Sequence, residues 1–134
     1  MTKNVTDRII LKKIFDTYYS DFCLFDEKSS TRKSKIYVPI DARSIAKKLG
    51  IDPEIVFGRL YYHLDKKYGY EQKDGSLVSL FALEVGGDRH AVNFPLLSAV
   101  LAELEQSYYR FTLPLILSAL ALTISIVGFV LSMF

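Results

Sequence analysis

The C-terminal segment constrains this chain more than any other feature of its sequence. Its last 24 residues, 111–134, contain no Asp, Glu, Lys, Arg or His. A helix of that length rises by about 36 Å, which covers the roughly 30 Å hydrocarbon core of a bilayer. A buried soluble helix would need apolar partners on every side, and the rest of the chain is too short to supply them. The sequence therefore predicts one transmembrane helix over 111–134, with the lipid bilayer as its partner.

The distribution of charge indicates where the remaining residues lie. All 17 basic and all 15 acidic residues precede the span, and Arg110 stands at its boundary. Basic residues beside a span favour the cytoplasmic side, and the N-terminus lacks the apolar core of a secretory signal. We therefore expect a tail-anchored, single-pass protein of the inner or plasma membrane, with a cytoplasmic N-terminal domain and no folded domain beyond the span. The one cysteine, Cys23, fits a reducing compartment and is predicted to lie in the core.

Apolar periodicity and capping residues divide the part of the chain before the span into short elements. Helices are predicted where apolar residues recur every three or four positions after a capping side chain, and strands where β-branched and apolar residues lie between turn residues. We expect one small domain over 1–94 and a juxtamembrane helix over 95–110. In chain order, the predicted elements are a helix capped by Thr6, an exposed loop over 26–35, a strand over 36–40 with Pro39 at a sheet edge, a helix over 42–49 between Asp41 and Gly50, a helix from Asp52 and Pro53 to about 67, a hairpin with strands over 77–85 and 89–94, and a helix opened by Pro95.

The residues around Gly50 follow a recognisable pattern. A small residue four positions before the glycine lets two helix backbones approach, and the glycine itself permits the positive φ of a tight turn. Together with the order helix, strand, helix, helix, hairpin, this pattern resembles the winged helix-turn-helix superfamily, which implies an α+β fold. The sequence departs from the pattern at Arg59, where an apolar residue is expected, so we expect the third helix to be rotated or extended. The residues that fill the pattern are Ile45, Ala46, Leu49, Gly50, Ile51 and Val56.

The resemblance implies binding to double-stranded DNA, with the third helix in the major groove and the hairpin at a neighbouring groove or the backbone. Between residues 28 and 67, ten Lys and Arg face four Asp and Glu, which supports this. The candidate contacts are Lys47 and Lys48 to phosphates, Arg59, Tyr62 and His63 to bases, and Arg89 to a minor groove. Some of these residues also have an alternative role. Lys47 and Lys48 could lie on a solvated helix face, the aliphatic stem of Arg59 could pack against the domain, and Tyr62 could pack under the hairpin.

Gly58 is unusual because glycine in a helix interior costs about 1 kcal/mol relative to alanine. We expect something to approach the backbone closely there: a phosphate, a partner protein or the first helix of the same domain.

Motifs that would indicate an enzyme are absent from the sequence. There is no glycine-rich phosphate loop, no cysteine pair and no His and Glu spacing for a metal. We therefore predict no catalysis, no metal, no cofactor and no small-molecule substrate.

Small residues recur along one stripe of the span at alternating spacings of three and four. Such residues let transmembrane helices approach closely, so the stripe predicts a parallel homodimer or association with other membrane helices. The same phase continues backward through Ser107, Leu104, Val100 and Leu97, which suggests one continuous seam. The stripe consists of Ser118, Ala121, Ser125, Gly128 and Ser132.

These observations give two main hypotheses. The first is a membrane-tethered DNA-binding protein, either a transcription regulator or a link between DNA and membrane, which resembles membrane-bound one-component transcription regulators but lacks a domain beyond the membrane. The second is an adaptor whose winged domain binds a cytoplasmic protein and whose helix docks with membrane subunits. A lytic role is weaker, because no pore-lining charge supports it. Convergence of the basic residues on one face would favour DNA, whereas a third helix covered by Tyr61, Tyr62 and the hairpin would favour the adaptor.

Overall fold

The structure is a computed structural model that describes residues 4–26, 28 and 31–134. Residues 27, 29 and 30 of the predicted loop lie outside the described residues. The chain is mixed α and β, with small antiparallel sheets and a long apolar C-terminal helix, as expected at this level. It divides into two units, Met1–Leu101, called the body below, and Ala102–Phe134.

The first helix, α1, spans Asp7–Cys23 and begins at the predicted cap, where Thr6 Oγ1 accepts a hydrogen bond from the Ile9 N–H. Its other end is held by Arg32, whose guanidinium donates to backbone carbonyls of the last turn. Cys23 is exposed, so its prediction as a core residue is wrong. The reason is that α1 buries Ile10, Leu11 and Ile14 in its first half, whereas no residue of its last turn is buried.

Helix α2 spans Ala42–Leu49, and the residues around it behave as the sequence predicts. The Asp41 carboxylate accepts from the Arg43 N–H at 3.0 Å, and Gly50 ends the helix with a φ of 68°. The next helix starts two residues later, where the Asp52 carboxylate accepts from the Glu54 N–H at 2.8 Å. Helix α2 buries Ile45, Ala46 and Leu49 against its neighbours.

The third helical region differs from a regular α-helix. Helix α3 spans Pro53–Gly58, a π-helix follows over Arg59–Leu64, and α4 completes it over Asp65–Tyr68. We call these three segments together the composite helix.

The departure from the expected pattern at Arg59 coincides with the first residue of the π-helix. Val56, Leu60 and Leu64 are spaced by four and four, which in an α-helix would drift by about 40° at each step. The total drift of about 80° stays within the apolar stripe of a helix, and all three side chains are fully buried. Leu60 therefore occupies the core position, and Arg59 turns to the side of the helix.

The main sheet has three antiparallel strands in the order β1-β5-β4, with β1 at Tyr37–Pro39, β4 at Phe81–Val85 and β5 at Asp88–Asn93. Pro39 therefore lies on an edge strand, as predicted. Gly86 and Gly87 connect β4 to β5 with φ values of 57° and 98°, which a two-residue hairpin turn requires.

The predicted strand over 77–85 is divided in the structure. Its first part, β3 at Leu77–Val78, pairs instead with a strand the sequence did not reveal, β2 at Tyr70–Glu71. The chain changes sheets at Leu80, where Asp65 Oδ1 accepts from the N–H groups of Leu80 at 2.8 Å and Phe81 at 3.1 Å. A carboxylate on the composite helix thus fixes the start of the hairpin.

Helix α5 spans Phe94–Ser132 and begins one residue before the predicted Pro95. Asn93 provides its cap, since the side-chain oxygen accepts from the Leu96 N–H at 3.1 Å. Leu97 and Val100 are buried in the core of the body. The predicted backward continuation of the dimer seam is therefore wrong for these two residues, because a partner helix could not reach them.

Helix α5 is long and apolar enough to cross a membrane, and its most apolar window is exposed throughout. The stripe of small residues lies within this exposed segment. The hydroxyls of Ser125 and Ser132 donate to carbonyls of their own helix, those of Ala121 and Phe129. The role of the stripe in dimerisation stays a prediction.

Candidate interaction surface on the composite helix

Arg59 is bound inside the body. Its Nε donates to Asp7 Oδ1 at 3.0 Å, its Nη1 donates to the Val5 carbonyl at 3.0 Å, and its Nη2 also contacts Asp7. The Arg59 and Asp7 side chains are only 29% and 22% exposed. All three of its donor nitrogens thus bind the residues at the start of α1, and the base contact predicted for Arg59 stays a prediction.

His63 faces the same carboxylate. Its Nε2 lies 3.2 Å from Asp7 Oδ2, and about half of its side chain remains exposed. Arg59 and His63 are four residues apart, which places both on the side of the π turn that faces α1. Two of the three base contacts predicted on this helix are thus directed at the body itself.

The aromatic residues of the composite helix form a continuous row that begins under the hairpin. The Phe57 ring contacts Phe81 edge-on at 5.7 Å and His90 at 5.4 Å, and it stacks on Tyr61 at 5.7 Å. Tyr61 in turn meets Tyr62 edge-on at 4.9 Å. The row leads from the half-buried Phe57 to Tyr62, whose 72% exposure leaves it without cover from the body.

His90 holds the hairpin in this position with a backbone conformation that is uncommon for its residue type. Its φ is 54°, and its backbone carbonyl accepts a hydrogen bond of 3.0 Å from the N–H of Ile40, the residue that follows the edge strand β1. Beside it, a cavity of about 450 Å³ opens between the first turns of α2 and α3. The cavity walls carry both signs of charge, with Arg43 against Asp41 and Glu54.

Gly58 is not enclosed by the body. Its φ and ψ of −63° and −39° are helical, and a Cβ placed on it would meet only Tyr62 Cδ2, at an ordinary 3.7 Å. No atom of α1 lies within 4 Å of this Cβ position. The expectation of a close contact from the first helix is therefore wrong.

One side of the composite helix is consequently apolar and uncovered. Ile55 is 52% exposed, and Gly58 follows it by three residues and touches Tyr62. We call this surface the apolar face, and it consists of Ile55, Gly58, Tyr61 and Tyr62.

The remaining candidate DNA contacts lie on other elements. Lys47 and Lys48 are exposed in the last turn of α2, where positive charge also suits the helix dipole. Lys48 Nζ donates to Thr17 Oγ1 at 3.3 Å. Arg89 is exposed near the hairpin turn. Their binding to DNA stays a prediction.

Asp7 and Asp65 are the residues of this region that the sequence did not single out. Both bind groups more than a dozen positions away, and no local pattern marks such contacts. Ile55 was missed because an apolar residue directly before Val56 and Phe57 is expected to be buried.

No group of three or more His, Cys, Asp or Glu with metal-binding geometry is found among the described residues. Comparisons with protein-family models, curated proteins and solved structures find no match to this chain. Its function has to be inferred from its own residues.

Proposed function

We propose that this protein is a membrane-anchored adaptor whose body binds a partner protein through the apolar face of the composite helix. The observation that carries this proposal is the exposure of Ile55 and Tyr62 beside the half-buried Gly58. The largest apolar patch on a protein surface is often a functional one, and large aromatic side chains dominate the energetics of protein interfaces.

The proposed architecture of the body is a winged helix-turn-helix. Support comes from the order of the elements, from the left-handed Gly50 between α2 and α3, and from the hairpin that contacts Phe57. Winged helices serve both DNA and protein recognition, so the fold leaves the choice of partner to the exposed residues.

The proposed anchor is the apolar part of α5, inserted as a single span with the body in the cytoplasm. Its length and composition support insertion, and Arg110 at its N-terminal boundary supports this orientation.

The chemistry of the composite helix favours protein over DNA. Between Pro53 and His63 it contains no Lys, Asn or Gln, and Arg59 is its only Arg. These are the side chains that commonly read base edges, and Arg59 is bound to Asp7. Asp52 and Glu54 also place negative charge at the helix start, where a phosphate would have to approach.

DNA binding remains the second candidate, because one observation supports it. Lys47, Lys48 and Arg89 are exposed and could neutralise phosphates without the composite helix entering a groove. Such binding would be largely independent of base sequence.

The two functions can be separated with the full chain in lipid nanodiscs or native membranes. For DNA, fluorescence anisotropy with random duplex is measured at about 50 and 200 mM salt. Binding that weakens steeply with salt and is lost when Lys47 and Lys48 are both replaced by Gln would support the DNA function.

For the adaptor, a photoreactive phenylalanine analogue replaces Tyr62 or, as a control, Leu77, which is 76% exposed on β3. We expect a specific cross-linked protein from position 62 alone, and we expect Ile55→Asp to abolish it while Leu77→Asp leaves it intact. Equal cross-linking from both positions, or none from position 62, would contradict the adaptor.

A further inference from the structure

Glycine at position 58 is unfavourable for helix stability, so its presence needs an explanation. Alanine at a helical φ and ψ is favoured over glycine by about 1 kcal/mol, and the body has room for its methyl group. The fold of the body therefore gives no reason for a glycine at this position. A glycine is required where a second backbone packs against the helix, since the distance between helix axes depends on the side chains at the crossing.

The residues on either side of Gly58 are suited to a contact between identical surfaces. Ile55 precedes it by three positions and Tyr61 follows it by three, with Tyr62 next. In an antiparallel crossing centred on Gly58, Ile55 of each helix would lie over Tyr61 and Tyr62 of the other. Such an arrangement has two-fold symmetry and pairs apolar groups throughout.

We propose that the apolar face binds the same face of a second copy of this chain, with the two composite helices crossing antiparallel at Gly58. This inference rests on the proposed function, because it identifies the protein partner at the same surface.

The charges at the two ends of the composite helix support the antiparallel direction. Asp52 and Glu54 lie at its start, and Lys66 and Lys67 lie exposed at its end. An antiparallel crossing brings the acidic start of each helix to the side of the basic end of the other, whereas a parallel crossing would bring like charges together. The dipoles of the two helices are opposed in this arrangement, which also favours the antiparallel crossing.

Anchoring makes a contact of modest area sufficient. Two chains held in one membrane meet at a higher effective concentration than free proteins, so a weak interface between bodies can be occupied. Association of the spans would raise this concentration further without itself determining which faces of the bodies meet.

Cysteine cross-linking of the full chain in membranes tests the proposed geometry. In a Cys23→Ser background, we expect Gly58→Cys to form a disulfide-linked dimer under mild oxidation, because this position lies on the two-fold axis. Lys47→Cys, exposed on α2, is the control and should give little dimer. A mixture of chains carrying Ile55→Cys and Tyr62→Cys should cross-link more than either variant alone.

Larger side chains at the crossing should weaken the association. We expect Gly58→Leu to lower the affinity between chains about tenfold or more, measured by energy transfer between labelled chains in vesicles diluted with lipid. Ser125→Cys cross-linking in the same membranes reports association of the spans separately.

The proposal would be overturned if the Gly58→Cys variant formed no more disulfide-linked dimer than the Lys47→Cys variant. If position 62 then still cross-links specifically to a different protein, the adaptor function stands and only the identity of the partner changes. If position 62 cross-links to nothing, both proposals fail.

Discussion

The contacts of Arg59 with the start of α1 make the stability of the body depend on this one side chain. Replacing it with Met keeps most of the apolar stem and removes three donors from Asp7 and the Val5 carbonyl. Exposed ion pairs contribute about 0–1 kcal/mol, and breaking a fully buried pair costs about 3–5 kcal/mol. With side chains 29% and 22% exposed, this pair lies between those limits. We expect Arg59→Met to lower the free energy of unfolding by about 1–3 kcal/mol.

That change is large enough to measure in the complete protein. For a body of this size, about 1 kcal/mol lowers the melting temperature by roughly 4–8 °C, so the variant should melt roughly 4–24 °C below the native chain. The assay is thermal melting in nanodiscs, followed by the near-ultraviolet circular dichroism of the tyrosines, most of which belong to the body.

A double-mutant cycle shows whether the loss belongs to the pair. Asp7→Asn and Arg59→Met combined should be less destabilising than the sum of the two, with a coupling of about 1–2 kcal/mol. The matched control is Lys12→Met, which breaks a 3.4 Å pair with Asp16 whose side chains are more than half exposed, and should cost less than about 0.5 kcal/mol. Equal melting of the Arg59 and Lys12 variants, or strict additivity in the cycle, would refute this account.

Three further predictions concern single residues. Gly58→Ala should raise the free energy of unfolding by about 0.5–1 kcal/mol, seen as a higher melting temperature, because its backbone is already helical. Asp65→Ala should cost about 1–3 kcal/mol and speed hydrogen exchange at the Leu80 amide, which would lose its acceptor; unchanged exchange there would count against the role of this carboxylate. The Tyr18 hydroxyl accepts a hydrogen bond from the Asp41 N–H, and burial raises the pKa of this hydroxyl. Its contribution to stability is therefore complete below pH 10 and is lost as the pH rises through the raised pKa. Tyr18→Phe should remove this alkaline loss from the pH dependence of the melting temperature.

The parts of the fold that the sequence predicts are those set by short-range chemistry. The Thr6 and Asp41 caps, the left-handed Gly50 and the turn at Gly86 each depend on a few neighbouring residues, and all occur where expected. Contacts between distant residues have no such local signal. Asp65 binds backbone groups that follow it by 15 and 16 positions, and this contact divides the predicted strand over 77–85.

The candidate surface was only partly predictable for the same reason. Tyr62 was singled out, but the sequence assigned it to a groove-reading helix together with Arg59 and His63. The structure directs those two side chains at Asp7, which is more than fifty residues away in the chain. Once they are occupied, the other exposed residues in the middle of the helix are Ile55, Tyr61 and Tyr62, with Glu54 before them and Lys66 and Lys67 after them.

The spacing of the buried residues on the composite helix connects its irregular geometry to its proposed partner. Val56, Leu60 and Leu64 are four apart and all buried, so they form one stripe toward the core of the body. Arg59 lies beside this stripe, on the side that faces α1. The side opposite the core then retains no free guanidinium for DNA. The one guanidinium of the composite helix therefore binds Asp7, which supports the proposed protein partner over DNA.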